Sequence, residues 1–245
     1  MAGSFLFKRR QLLRLGGTGV VSFLGGAVIT KVVDARANSP VQAGNGPLTQ
    51  SDEQPYLNPS DFDQQFLTKP ADIKQIWDFV TIDQVQPQGL TAIRNALNAF
   101  QFTYKKTLYS VICLRGNAVI YALDDAMWAK YKLATVYGQQ PESVSNQNPL
   151  YHRFTTDNGT LSPEDPNSLY QDPSLQALLQ RGSHIAVCHD ALNGLAGLLA
   201  QQRGFTTGSV FNELAAHLVS GATQTPSGSS LIAVAQYLGF TYAKQ

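Results

Sequence analysis

The sequence lacks an excess of either charge: 18 Lys and Arg stand against 17 Asp and Glu in 245 residues, and charged residues make only 14% of the chain. The balance is uneven, because residues 1 to 37 hold six basic residues and one acid, leaving 12 basic and 16 acidic residues, a net of −4, in the remainder. A body of that sign has few of the clustered cations that give phosphate-backbone affinity, which excludes nucleic acid as a leading partner. Long apolar runs are missing too. Leu15 to Thr30 gives 16 uncharged residues, short of the roughly 20 that span a bilayer, and a mean hydropathy of −0.13 is too low for a polytopic membrane protein. There is no Gly-rich dinucleotide fingerprint, phosphate loop or G-x-S-x-G elbow, so the commonest nucleotide and hydrolase readings fall away. No internal repeat of fixed period is present. What remains is 43% hydrophobic content, enough for a sizeable core.

Residues 1 to 37 read as an address. Lys8-Arg9-Arg10-Gln11-Leu12-Leu13-Arg14 precedes a Gly-rich apolar run, and Ala35-Arg36-Ala37 puts small residues at the positions of a cleavage site. Basic, apolar and small-residue segments in that order make a cleavable export signal, with cleavage after Ala37. The paired arginines followed by Leu12 and Leu13 resemble the bacterial twin-arginine signal, and imply a periplasmic protein and the twin-arginine export machinery as a partner. The alternative is an uncleaved N-terminus that anchors the chain to the membrane. Residues 38 to 70 carry seven prolines and glycines without a period, as expected of an extended or disordered leader.

From residue 71 onward strand and helix patterns alternate. The run Ile76 to Ile82 is aromatic and β-branched and predicts a first strand, and Leu90, Ile93, Leu97 and Phe100 recur at helical spacing through Phe102. Leu108 to Leu114 is a nearly continuous apolar strand, Asn117 to Tyr121 a short extended piece, and Asp124 or Asp125 the cap of a helix. Residues 136 to 170, with four prolines, form a long loop that is either a functional lid or a disordered insertion. A helix over Leu175 to Gln180, a third strand His184 to Cys188, a helix capped by Asp190, and a short fourth strand His217 to Ser220 follow. Pro226-Ser227-Gly228-Ser229 leads into a last helix that Gly239 ends, and Phe240 to Ala243 is a fifth strand. This order predicts one three-layer α/β/α domain over 71 to 245 with a mostly parallel five-stranded sheet.

Parallel sheets place functional groups at the carboxyl ends of their strands, and Cys188 stands there. A helix N-terminus favours a thiolate, and His189, when protonated, adds to it; burial as a small hydrophobe is the competing role. Cys113 lies mid-strand between Ile112 and Leu114 and reads as core. A disulfide between the two meets the poor geometry of neighbouring parallel strands. His184, Cys188, His189 and His152 match no standard zinc spacing, so no metal and no cofactor is expected. Arg115-Gly116-Asn117 follows the second strand, where Arg115 serves either as an anion clamp or in an ion pair. Ser227 and Gly228 open the last helix, whose free N–H groups suit an anion, although capping explains the same residues.

Val111-Ile-Cys-Leu-Arg115, Ala118 to Tyr131, Asn148-Pro149, Val187-Cys-His-Asp-Ala-Leu192, Pro226-Ser-Gly228 and Ala235 to Tyr242 together resemble the DsrE/DsrF-like family, in its exported, twin-arginine-signal members. The resemblance spans residues 71 to 245. It implies the three-layer fold with a five-stranded parallel sheet, homo-oligomers, and a cysteine after a central strand that accepts sulfane sulfur as a persulfide; Cys188 occupies that position, with Arg115 holding an anionic sulfur species. The sequence departs from the sulfur-relay members in having no second cysteine near its C-terminus, and those relays are cytoplasmic. A noncatalytic small-molecule-binding or assembly module of the same fold is the alternative.

Overall fold

The computed structural model describes residues 66–137, 146–155 and 162–244. The expected export signal, its expected cleavage after Ala37 and the expected leader up to residue 65 lie outside the described residues. Five strands, β1 (Ile73–Phe79), β2 (Leu108–Leu114), β3 (His184–Cys188), β4 (Ala222–Thr225) and β5 (Thr241–Lys244), form one sheet in the order β4-β3-β2-β1-β5. Every pairing is parallel. The main helices are α1 (Pro87–Asn98), α2 (Asp125–Tyr131), α3 (Leu175–Gln180), α4 (His189–Arg203), α5 (Thr207–Ala216) and α6 (Gly228–Tyr237).

Alternation along the strands divides the core. Trp77, Phe79, Ile112, Leu114, Ile185 and Val187 join the apolar residues of α1 to α5 on one face. Ile76, Val111, Cys113 and Ala186 face the other way, onto Leu231 and Ala235 of α6. The reason is topological. Connections from β1 to β4 step in one direction across the sheet, so right-handed crossovers keep their helices on one face; the last connection runs back from β4 to β5 and must cross on the other. Among the described residues a single helix therefore covers the second face, with help from Leu67, which is fully buried, and from Phe66, whose ring stacks on His184 with centroids 3.8 Å apart. The packed chain thus already includes Phe66 and Leu67, within the stretch that composition assigned to the leader.

Several local expectations are corrected. The first strand begins three residues earlier and stops at Phe79, because the Gln84 side chain accepts hydrogen bonds from the N–H groups of Val80 (2.7 Å) and Thr81 (2.9 Å) and turns the chain into a helical turn at Ile82–Val85. Asn117 to Tyr121 is not extended: Gly116–Ala122 is a 3-10 helix closed by Ala118 N–H donating to Arg115 C=O. Its β-branched residues are buried in a core that tolerates either backbone, so the tertiary site overrides propensity. The fourth strand is Ala222–Thr225 rather than His217 to Ser220; Leu218 makes only an isolated antiparallel bridge to Leu123. Ahead of it stands α5, unforeseen in a stretch rich in Gly, Thr and Ser, where Thr206 accepts a capping bond from Ser209 N–H. Cys188, not Asp190, is the N-cap of α4.

The described part of the long loop is pinned. Asn148 is 2% exposed, and its side-chain amide donates to Tyr121 C=O and Leu123 C=O, both at 2.8 Å. Asp125 accepts from Asn148 N–H and pairs with His152 at 2.7 Å. Fully buried Asp172 accepts from the backbone N–H groups of Phe154, Thr155 and Ser174 and faces Arg153 at 3.3 Å. Those hydrogen bonds outweigh burial and hold its carboxyl below the usual range.

Candidate functional site at the carboxyl edge

β3 hands the chain to α4 on one face, and its neighbour β4 hands it to α6 on the other. Adjacent strands whose connections part in this way leave a crevice outside their carboxyl ends, the position where open α/β sheets bind ligands. Cys188 and Thr225 are register partners at that point. The N-termini of α4 and α6 both begin there, and neither N-cap residue, Cys188 or Ser227, makes a side-chain capping bond. The first turns of both helices therefore take no hydrogen bond from their own N-cap side chain.

Each expected site residue has a definite place. Cys188 is 6% exposed and ends its strand as the cap of a 15-residue helix. His189 packs its ring on Phe211, centroids 4.8 Å apart, with Nδ1 3.4 Å from Gln224 Oε1. Ser227 accepts through its carbonyl from Ser230 Oγ and Leu231 N–H, as the start of a helix requires. Gly228 lies so close to the sheet that a Cβ there would meet Arg115 Cδ at 2.8 Å and Cys113 Sγ at 3.2 Å. Only a residue without a side chain lets α6 settle onto β2 at this point. Asn117 is engaged elsewhere: its Oδ1 accepts from Ile82 N–H at 3.0 Å and closes the turn after β1.

Arg115 resolves into an ion pair. Its Nε and Nη2 donate to the two oxygens of Asp78 at 2.7 and 2.8 Å, and Tyr242 Oη donates to Asp78 at 2.8 Å. Asp78 is fully buried and is the register partner of Cys113. The bond to Asp78 raises the Arg115 guanidinium above its ordinary value, and the Tyr242 phenol is raised by burial first and the same carboxylate second. With the Asp78 carboxylate on its Nε and Nη2, the Arg115 guanidinium has its positive charge compensated at this edge. The only sequence signal for this triad is a lone acid inside the apolar stretch Ile76 to Val80, because Arg115 and Tyr242 stand 37 and 164 residues from Asp78.

The two cysteines differ. Cys113 has no exposed surface, and burial, then the Asp78 charge, push its thiol up, with Arg115 offsetting only part. Cys188 stands one strand over and two residues along on the same face. Sheet spacings put their Cα atoms about 8 Å apart, too far for a disulfide without backbone movement, and both are free thiols. His184 and His152 are held apart from this edge, on Phe66 and Asp125. Among the described residues no three His, Cys, Asp or Glu side chains group to hold a metal ion, and no helix is long and apolar enough to cross a membrane. No family model and no curated protein matches this chain.

Proposed function

We propose that the protein is an exported member of the DsrE/DsrF-like family that carries sulfane sulfur, or exchanges thiol and disulfide, on Cys188. The observation that carries this reading is the place of Cys188 at the switch point of the sheet, as N-cap of α4, where the dipole of the helix N-terminus favours negative charge that develops on sulfur during attack. In the carrier step the Cys188 thiolate attacks the outer sulfur of a sulfane donor. A new S–S bond forms on Cys188, the donor's S–S bond breaks, and the donor thiolate leaves with the electron pair. Arg115, at the same carboxyl edge, orients an anionic sulfur species through the part of its guanidinium turned away from Asp78. Residues 1 to 37 direct the chain to the periplasm through the twin-arginine route or, uncleaved, anchor it there, and the working form is a homo-oligomer.

A noncatalytic small-molecule-binding or assembly module is the second reading. It is favoured by the 6% exposure of Cys188 and by the hold of Asp78 on Arg115. One experiment separates the two. Incubation with a polysulfide donor followed by intact-mass measurement is expected to add one sulfur atom to the native chain and to Cys113→Ser, and none to Cys188→Ser. Equal gain in Cys188→Ser, or no gain in any form, overturns the carrier reading.

A further inference from the structure

We propose that Thr225 is a positioning residue of the carboxyl-edge site, its hydroxyl donating to the sulfur of Cys188 when that sulfur is negatively charged. The role rests on the reading of Cys188 as the reacting thiol, and adds the group that steadies its charge. Cys188 and Thr225 are register partners and the last residues of β3 and β4. Side chains at paired positions of neighbouring strands stand on one face, with Cβ atoms about 5 Å apart.

Alternation fixes which face this is. Ile185 and Val187 pack into the layer of α1 to α5 and Ala186 into that of α6, so Cys188 turns toward α6. Gln224 turns the other way, where its Oε1 lies 3.4 Å from the His189 ring, and Thr225 is thereby left on the Cys188 side. Thr225 is 2% exposed, and among the described residues no hydrogen bond engages its hydroxyl. Such a hydroxyl rotates toward whichever neighbouring atom accepts best. A neutral thiol is a weak acceptor, whereas a thiolate or persulfide anion is a strong one, so the bond forms as charge develops on sulfur.

The charged and titratable groups around this point are committed elsewhere. Arg115, the next position after the Leu114–Val187 pair on the β2 side, is held by Asp78, which also takes the Tyr242 hydroxyl. Cys113 is fully buried, with its thiol pushed up by burial. His189 packs on Phe211 across the sheet, Asp190 is exposed in the first turn of α4, and α6 carries no acidic or basic residue. Thr225 thus offers a neutral donor from the strand beside Cys188, and a neutral donor serves the attacking thiolate and the persulfide that follows it alike.

The pH profile of Cys188 alkylation by iodoacetamide, an uncharged reagent, tests the role on the full chain, with the site mapped by peptide mass. Thr225→Val keeps the shape and removes the hydroxyl; the midpoint should move up by about one pH unit and labelling at neutral pH should slow about tenfold. Thr225→Ser keeps the hydroxyl and should restore the native profile, which a merely structural role would not require. Thr225→Ala removes the same hydroxyl and should shift the profile in the same direction if the valine variant does not fold. Sulfur uptake from polysulfide is scored separately by intact mass: a shifted profile without uptake supports Thr225 and refutes the carrier reading, and uptake with unshifted profiles does the reverse. An unshifted midpoint in the variants lacking the hydroxyl, a Thr225→Ser profile displaced as far as theirs, or a Cys188 that stays unlabelled at every pH overturns the proposal.

Discussion

On one face of the sheet β1, β2 and β3 present Trp77, Phe79, Ile112, Leu114, Ile185 and Val187 to helices α1 to α5; on the other, the same strands present Asp78, Cys113 and Cys188 beside α6, the single helix on that face among the described residues. Neighbouring positions in one strand thus serve packing and chemistry in alternation, because successive side chains point to opposite faces. A thickly covered face can hold only apolar groups cheaply. A thinly covered one leaves polar groups such as Arg115 and Tyr242 within reach of water at the sheet's edge while their partner Asp78 stays buried.

The sharpest way to break this contrast is to cut equivalent leucines. Leu195, in α4, and Leu231, in α6, are 1% and 3% exposed. Leu195→Ala should cost about 3–5 kcal/mol in urea unfolding, because its cavity is enclosed by helices that cannot close on it. Leu231→Ala should cost about 2–3 kcal/mol, since a lone helix can shift toward the sheet. The reverse order would show that α6 is the more rigid layer.

A second contrast lies between pH values, and again it is located on the α6 face. Burial first, and Lys69 second, depress His184 to about 4 from 6.5. A depressed histidine binds its proton more readily when unfolded. Its neutral folded form therefore costs nothing at pH 7, and stability falls as pH drops from about 6.5 to about 4, levelling below that. The loss is about 3 kcal/mol over the window. Urea midpoints for the native chain and His184→Phe between pH 7 and pH 4 check it: the variant should lose most of that slope, and parallel curves would show that His184 is not the group responsible.

Much of the fold was legible because apolar periodicity reports burial directly. Leu108–Leu114, Leu175–Gln180 and His184–Cys188 stand where their patterns put them. The misses have a common cause. β4 reads Ala-Thr-Gln-Thr and is a strand only because Cys188 and its predecessors pair with it, and Val119-Ile120-Tyr121 reads as a strand yet has no partner to pair with. Pairing is a tertiary property that spacing does not encode. The same holds for the site. Cys188 could be placed at the carboxyl edge from its own neighbours, whereas Asp78 meets Arg115 through the pairing of β1 with β2, and Tyr242 joins them only because β5 crosses back to β1.

The smallest expected effect concerns no stability at all, only which of two thiols reacts. Both cysteines face α6, but Cys113 is enclosed by the helix start at Gly228, whose carbonyl lies 3.9 Å from its sulfur, and by the Asp78 charge. Forming a thiolate there places one negative charge beside another with no surface open to solvent, and burial and charge act in the same direction. Cys188, by contrast, has a sliver of exposed surface through which a reagent can reach its sulfur, and it stands at the first turn of α4. Alkylation of the folded chain at neutral pH, mapped by peptide mass, should therefore mark Cys188 well before Cys113. Asp78→Asn removes the carboxylate charge from beside Cys113 and should narrow the gap between the two sites without reversing it, because burial, the larger cause, remains. Faster labelling of Cys113 in the native chain would place the accessible sulfur on the wrong strand, and would remove the chemical difference between the two cysteines on which a carrier role for Cys188 depends.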